Sequence, residues 1–439
     1  MNSVLLRQGQ LVTMNSTRET FTGDLRIRDG KIVALGRQLA PEADEEIVDV
    51  SGSFVIPGLI QAHTHLCQTL FRGLADDLEL LDWLQQRIWP LENAHDEPSL
   101  RASAQVGLLE MQLSGTTSIL DMGTVRHHHV VFVEAQRSGM RYWGGNCMMD
   151  QKRTSGPLYR PTEETLDYCR ELIRDWHNKT SRLQYVISPR FVISCTERLL
   201  KASAKLRQEH GLLFHTHASE NKKEVELVRK RTGLDNVKYL KKVGCLSAET
   251  VLAHGIHLSA SEVQDMVRTR AGLAHCPSSN LKLASGLARI TTYRRKGMKV
   301  ALGSDGAPCN NRMDAFTEMR LAALLQKPLF GPTALPALEA FELATVGGAQ
   351  VLNATESIGS LEIGKRADIA IVDRSHPSVA TVEDPYSALV YSCSGRDVTD
   401  VWIDGQPIVR GRQHRIYNQP AVLSNAREEL QKLKRRIRL

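Results

Sequence analysis

The chain has 439 residues, 42% of them hydrophobic and only 5% aromatic, and this length can bury one large core and still form a second, smaller domain. It contains no apolar window of about 18 residues and no basic N-terminal stretch before an apolar run, so we expect a cytoplasmic protein without a membrane span. Much of the net charge of +7 lies in the basic segment 432–438, which does not indicate a nucleic-acid partner.

Both ends of the chain predict short strands. Alternating apolar and polar residues, which are typical of strands, flank Asp-Gly turns near each end. The paired stretches are 24–28 with 31–35 and 398–403 with 406–409. We therefore predict that 1–56 and 357–417 form one β-sandwich domain and that 418–439 forms a basic C-terminal helix.

The middle of the chain, 57–356, predicts a different architecture, because short apolar runs alternate there with helical stretches. These runs are 117–120, 183–187, 212–215, 250–253, 272–274 and 299–303. The alternation predicts βα units around a parallel sheet, and the length suits a closed (β/α)8 barrel. The predicted fold class is α/β, a TIM barrel with a smaller β-sandwich domain built from both chain ends.

In such a barrel, chemistry is carried by residues at the carboxyl ends of the strands. His63 and His65 follow an apolar stretch, and on an extended segment their rings point to the same side. Further strand-like runs end near His217, His254 and Asp305. Imidazoles and a carboxylate at strand ends match the nitrogen and oxygen ligands of a catalytic zinc or iron site with one open position.

The order of these residues, H-x-H on the first strand, His on the fifth and sixth and Asp on the eighth, resembles the amidohydrolase superfamily over essentially the whole chain. Longer segments resemble its branch of 5'-deoxyadenosine, methylthioadenosine and S-adenosylhomocysteine deaminases. They are 72–78, 82–84, 217–221, 275–283 and 303–311.

The resemblance implies one divalent metal ion, with Zn²⁺ expected and Fe²⁺ or Mn²⁺ as alternatives. The implied ligands are His63, His65, His217 and Asp305. Glu220 would shuttle a proton to the substrate ring, His254 would hydrogen-bond the attacking water, and Asp305 would accept the released proton. A single ion is favoured because 183–189 offers no lysine or glutamate to bridge two ions.

Substrate contacts are also implied by the resemblance, for Glu220 and His254 and for three further residues. Asp82 stands where adenosine-type relatives have a glutamate that reaches the ribose hydroxyls. Arg190 and Gln68 resemble base-binding positions of guanine deaminase, although a buried arginine at a strand end is also a common ion-pair partner.

Five other polar residues receive no catalytic role. His275 and Asn280 follow the seventh strand and are candidates for lining the pocket, although their segment is also typical of a turn. The tract His127-His128-His129 is interpreted as a solvated loop rather than a metal site.

The predicted function is hydrolytic deamination of the 6-amino group of an adenine nucleoside through metal-activated hydroxide. The candidate substrates are 5'-deoxyadenosine, methylthioadenosine and S-adenosylhomocysteine. Guanine deamination is the main alternative, followed by triazine chlorohydrolysis and a non-catalytic scaffold. The predicted partner is a small purine nucleoside, with no nucleic acid and no membrane, and a homo-oligomer stays open.

Overall fold

The computed structural model describes residues 3–437 and contains two sheets of nine strands. The first sheet begins with β1 Ser3–Val12, β2 Thr20–Arg28, β3 Lys31–Gly36, β4 Glu46–Asp49 and β5 Ser53–Pro57. The second sheet comprises β6 Leu59–Thr64, β7 Thr116–Met122, β8 Arg141–Gly145, β9 Cys147–Met148, β10 Leu183–Pro189, β11 Leu213–Ala218, β12 Thr250–His254, β13 Gly272–His275 and β14 Lys299–Leu302. The chain then returns to the first sheet with β15 Ile369–Asp373, β16 Val398–Ile403, β17 Gln406–Arg410 and β18 Gln413–His414.

The second sheet is the barrel. Parallel pairing runs in the order β6-β7-β8-β10-β11-β12-β13-β14, and the short β9 pairs with β10. The ring closes where Thr64 bridges Asp305 and the Asp305 backbone N–H donates to the His63 carbonyl at 3.0 Å. The predicted (β/α)8 barrel is confirmed, and its closure lies at residues predicted for the metal centre.

The third barrel strand, β8, was not among the strands predicted from the sequence. It lacks alternation and ends in two glycines, which lower strand propensity. Gly145 is required by a close backbone approach, because a Cβ there would lie 1.9 Å from the Val186 carbonyl oxygen. Close packing against β10 therefore explains why glycine occurs in β8, although glycine is unfavourable in strands.

Helices cover the barrel and lie across its mouth. Before β11 they are α1 Leu80–Trp83, α2 Trp89–Asn93, α3 Glu97–Leu113, α4 His129–Ser138, α5 Lys152–Ser155, α6 Thr162–Trp176 and α7 Glu197–His210. Those between β11 and β15 are α8 Lys222–Thr232, α9 Asn236–Lys242, α10 Ala260–Thr269, α11 Pro277–Lys282, α12 Ile290–Arg295, α13 Ala307–Asn310, α14 Ala315–Phe330, α15 Ala337–Leu343 and α16 Val346–Val351. α17 Pro385–Ser387 and α18 Gln419–Arg435 follow. Within residues 3–437, no helix is both long and apolar enough to cross a membrane.

Local sequence explains where several of these helices begin and end. The Ser259 side chain caps α10 in a reciprocal capping box with Glu262, which satisfies N–H groups that lack partners in the first turn. Helices α4, α7 and α8 end at Gly139, Gly211 and Gly233, each in the left-handed conformation that glycine adopts without strain.

The first sheet joins both chain ends, as predicted. β15 pairs antiparallel with β5, from Ile369 opposite Pro57 to Asp373 opposite Ser53. Its hydrogen bonding is continuous through β18-β17-β16-β15-β5-β1-β2-β3, with β4 on β1, so the strands form one sheet rather than two separate ones. Leu6, Leu25 and Trp402 belong to its buried core.

The two sheets are joined directly, because only Gly58 separates β5 from β6. The predicted domain limits 1–56, 57–356, 357–417 and 418–439 stay predictions. Residues 1, 2, 438 and 439 lie outside the described part of the chain, and the basic residue Arg438 is among them.

Candidate active site

Five side chains from four barrel strands meet at the carboxyl end of the barrel, and all five are buried. One ligand atom each from His63, His217, His254 and Asp305 lies within 4.8 Å of the others. His65 joins them, with Nε2 at 3.2 Å from His217 Nε2 and 3.3 Å from Asp305 Oδ1. The structure therefore brings together the residues that the sequence predicts for the metal centre.

Hydrogen bonds on the outer side of the rings orient two of these histidines. His65 Nδ1 lies 2.8 Å from the Met122 carbonyl oxygen, and His217 Nδ1 lies 2.8 Å from the Arg190 carbonyl oxygen. Because a carbonyl only accepts, both Nδ1 atoms carry the proton and both Nε2 atoms present lone pairs to the centre. His63 Nε2 is also buried there without a hydrogen-bond partner.

The imidazole lone pairs that point inward and the Asp305 carboxylate would repel one another without a cation between them. The distances between these ligand atoms suit one metal ion. His63 Nε2 and His65 Nε2 each lie 3.3 Å from Asp305 Oδ1. A tetrahedral zinc site with Zn–N of about 2.0–2.1 Å has ligand-to-ligand edges of about 3.3 Å. His254 Nε2 is farther from the carboxylate, at 3.8 Å from Asp305 Oδ2. The residues present fit one divalent metal ion.

The two carboxyl groups beside His254 have opposite pKa shifts. Burial raises the pKa of Glu220 well above its usual range, and the charges of Asp305 and Glu224 raise it further. Burial also acts to raise the pKa of Asp305, but the neighbouring His63 holds that pKa well below its usual range. Glu220 thus holds a proton more strongly than Asp305 does.

Two residues of this group have unusual backbone conformations. His254 has a φ of 73° and Asp305 a φ of 60°, a left-handed region that is uncommon for residues other than glycine. Such strain persists only where the surroundings over-determine it, and it is concentrated at functional sites. The barrel also approaches closely here, since a Cβ on Gly303 would lie 2.7 Å from the His63 carbonyl oxygen.

Of the predicted substrate contacts, Arg190 and Gln68 are engaged by one carboxylate that the sequence analysis missed. The Arg190 guanidinium donates to Glu92 Oε2 at 2.6 Å and to Glu92 Oε1 at 3.1 Å, and Gln68 Nε2 donates to Oε1 at 2.8 Å. The available signal was that Glu92 directly follows the apolar stretch Trp89-Pro90-Leu91. A buried carboxylate at such a place requires partners.

Asp82 lies elsewhere, exposed on α1. An ion pair between Glu79 and Lys223 connects the loop before α1 to α8. Glu79, and to a smaller extent Asp82, raise the pKa of Lys223. The substrate-contact roles of Asp82, Arg190 and Gln68 stay predictions.

The histidine tract is only partly a solvated loop. His127 and His129 lie near Glu97, at 3.6 and 3.2 Å from its Oε1. His128 differs, because it is fully buried and its Nε2 lies 3.2 Å from the Tyr142 hydroxyl. His275 and Asn280 are also buried, and Asn280 contacts His254.

Comparisons with known proteins agree with this geometry. The model of the amidohydrolase family matches residues 54–408. The chain is 36% identical to a 5'-deoxyadenosine deaminase of Methanothermobacter thermautotrophicus, over 97% of each chain. It is 35% identical to a 5-methylthioadenosine/S-adenosylhomocysteine deaminase of Desulforudis audaxviator, over 94% of this chain and 95% of the relative. A crystal structure of an adenosine deaminase from Xanthomonas campestris with bound zinc superposes with a TM-score of 0.93 at 29% identity and covers 99% of both chains. The chain belongs to the amidohydrolase family.

Proposed function

We propose that the protein is a one-metal hydrolytic deaminase of adenine nucleosides. It replaces the 6-amino group of 5'-deoxyadenosine, methylthioadenosine or S-adenosylhomocysteine with oxygen, giving the inosine analogue and ammonia. The relatives named for these substrates support the choice. The observation that carries it is Glu220, a buried carboxyl group with a raised pKa, whose Oε2 lies 3.6 Å from His254 Nε2 beside the ligand cluster.

His63, His65, His217 and Asp305 would hold the metal. This choice is supported by His65 Nε2, which lies 3.2 Å from His217 Nε2 and 3.3 Å from Asp305 Oδ1, and by His63 Nε2, which lies 3.3 Å from the same oxygen. A bound divalent ion supplies a nucleophilic water at neutral pH, since it lowers the pKa of that water to about 7. His254 Nε2 lies 3.8 Å from Asp305 Oδ2, farther from this carboxylate than His63 and His65, and has no hydrogen-bond partner, so it would accept a hydrogen bond from the water.

Two carboxyl groups move the protons. Glu220 donates from its carboxyl to a ring nitrogen of the substrate, which makes the adjacent carbon electrophilic. Asp305 is ionised and takes up the proton that the water releases, at Oδ2, the oxygen that lies toward His254. A second transfer of this proton to the amino group lets ammonia leave, and the proton that remains on the attacking oxygen returns to Glu220 as the carbonyl forms.

The ribose contact is better supplied by Glu92 than by Asp82. Gln68, which binds Glu92, lies against the residue after Asp305, since a Cβ on Gly306 would be 2.0 Å from Gln68 Oε1. Glu92 is therefore part of the wall of the site. Its two oxygens offer about four acceptor positions and receive three hydrogen bonds, so one remains for a sugar hydroxyl.

Guanine deamination is the second candidate and was suggested by Gln68 and Arg190. In the structure both donate to Glu92, the carboxylate that we propose for the ribose contact. The contacts thus favour the nucleoside. The homo-oligomer, the absence of a nucleic-acid partner and the cytoplasmic location stay predictions.

The test is ammonia release by zinc-loaded protein offered 5'-deoxyadenosine, methylthioadenosine, S-adenosylhomocysteine, adenosine, adenine and guanine side by side. We expect turnover of nucleosides, with adenine and guanine inert. Turnover of guanine with the nucleosides inert would replace the proposal by the second candidate. If no compound releases ammonia from protein shown to contain zinc, the deaminase proposal fails.

A further inference from the structure

The helix α11, which follows β13, contacts both side chains that face the nucleophilic water in the proposed function. Ser279 Oγ donates to Asp305 Oδ2 at 2.6 Å, and Asn280 Oδ1 lies 2.9 Å from His254 Nδ1. Both α11 residues are buried, with 0% and 2% of their surface exposed. Two consecutive residues thus reach two different strands at the point where the chemistry takes place.

We propose that Ser279 and Asn280 are positioning residues. Ser279 orients the Asp305 carboxylate toward the metal, and Asn280 selects the tautomer of His254 that can accept a hydrogen bond from water. This inference rests on the proposed function for what the two groups do, but the contacts that it assigns can be tested without turnover.

The argument for Asn280 concerns the location of one proton. An amide oxygen only accepts, so His254 Nδ1 carries the proton and Nε2 carries the lone pair. Without Asn280, the buried ring can adopt the other tautomer, in which Nε2–H donates to Glu220 or Asp305, at 3.6 and 3.8 Å. The strained φ of His254 makes such an external restraint more necessary.

The argument for Ser279 concerns the plane of the carboxylate. Asp305 Oδ1 accepts from the Gly306 N–H at 2.8 Å and faces His63 and His65 at 3.3 Å. Ser279 binds the other oxygen, so the two donors together fix which oxygen points to the metal site. Hydrogen bonds of this kind to ligating carboxylates set the orientation of the ligand.

The helix itself is held against the segment after Asp305. Lys282 Nζ donates to the Pro308 carbonyl oxygen at 2.8 Å. The buried Glu318 accepts from the Ser278 N–H at 3.2 Å and from Asn310 Nδ2 at 2.9 Å. Because α11 and α13 share these anchors, Ser279 and Asn280 keep their places relative to the site.

The test compares Ser279→Ala and Ser279→Thr with Asn280→Leu and Asn280→Asp. Leu281→Ala is the matched control, because Leu281 lies on the same helix and is 41% exposed. Zinc affinity is measured by chelator competition, kcat and KM by ammonia release from 5'-deoxyadenosine, and the tautomer by ¹⁵N-histidine NMR, with His254 assigned through His254→Gln.

Removal of such outer partners costs about 10–100-fold in metal affinity or activity. We expect Ser279→Ala to lose zinc affinity by this factor and Ser279→Thr to retain it. Asn280→Leu should lose kcat by this factor with KM and zinc affinity unchanged, and the Nδ1–H signal of His254 should change. Asn280→Asp keeps the acceptor and should keep that signal.

The proposal is overturned if Ser279→Ala and Asn280→Leu behave like Leu281→Ala, or if Asn280→Leu leaves the His254 tautomer unaltered. Should either variant misfold by circular dichroism, the Thr and Asp variants decide: native zinc affinity and an unaltered tautomer support the proposal, and their loss refutes it. If the wild-type protein binds zinc but deaminates nothing, the proposed function fails, while zinc affinity and NMR still decide the roles of Ser279 and Asn280.

Discussion

The pair Arg190–Glu92 makes a sharp prediction, because both side chains are buried, with 2% and 1% exposed. Glu92→Leu leaves the guanidinium without its carboxylate in the interior. Removing one partner of such a pair costs about 3–5 kcal/mol, whereas replacing both by apolar residues is often neutral or stabilising. We therefore expect the double variant Glu92→Leu/Arg190→Leu to be more stable than either single variant.

The assay is the thermal unfolding midpoint of zinc-loaded protein. At about 2 °C per kcal/mol for a large domain, each single variant should unfold about 6–10 °C lower than the wild type, and the double variant should recover most of this. Glu92→Leu and the double variant should both raise KM for the nucleoside, because Glu92 forms the proposed ribose contact. Stability and substrate binding thus separate in the double variant.

An exposed pair supplies the control. Arg198 and Glu163 form an ion pair with 69% and 61% of their side chains exposed, and pairs of this kind contribute little. The same cycle at this pair should show no measurable coupling. Additive losses at Arg190 and Glu92, with no recovery in the double variant, would refute the reasoning that the two charges stabilise each other inside the protein.

Three further predictions concern the site and its surroundings. Glu220→Gln should lower kcat by about 10²–10⁴-fold with the zinc content unchanged. The control variant Glu226→Gln changes an exposed residue of the adjacent helix α8 and should match the wild type. Equal rates for both variants would exclude Glu220 as the acid. Asp305→Ala should abolish both turnover and stoichiometric zinc binding. Removal of the metal from the wild type with a chelator should abolish turnover until Zn²⁺ is restored. Full activity in the chelated protein would contradict the metal mechanism. Burial lowers the pKa of His95 to about 4, so between pH 6.5 and 4 the unfolded chain binds a proton that the folded chain does not. Stability should fall with pH there by up to about 1.4 kcal/mol per unit, and urea midpoints should show a smaller slope for His95→Gln; an unchanged slope would contradict this.

The barrel and its metal cluster were predictable because their signals are local. An apolar strand followed directly by His63-Thr64-His65, or by Gly303-Ser304-Asp305, places a ligand at the mouth of a parallel barrel. Strand β8 was missed because its glycines serve a close approach to β10, which only the folded chain contains.

The contacts between distant residues could not be predicted from local patterns. Glu92 pairs with Arg190 across 98 positions, and Asn280 reaches His254 across 26. The sequence assigned Asp82 to the ribose through a resemblance, and that assignment stays a prediction beside the contact that we propose for the buried Glu92. Which side chains form such pairs depends on the residues that the folded barrel brings together. The periodic patterns in the sequence, which predict strands and helices, do not contain this information.

The division of labour between the two carboxyl groups follows from their neighbours rather than from their depth. Glu220 and Asp305 are equally inaccessible, with 2% and 4% exposed, and both lie within 4 Å of His254. Asp305 lies beside His63, which holds its pKa well below the usual range, while Glu220 lies near the carboxylates of Asp305 and Glu224, which disfavour a further charge. Opposite pKa shifts in adjacent groups assign the acid and the base. An adenine ring offers a nitrogen that accepts a proton, so a site in which one carboxyl group holds a proton more strongly than its neighbour is matched to deamination at the adjacent carbon.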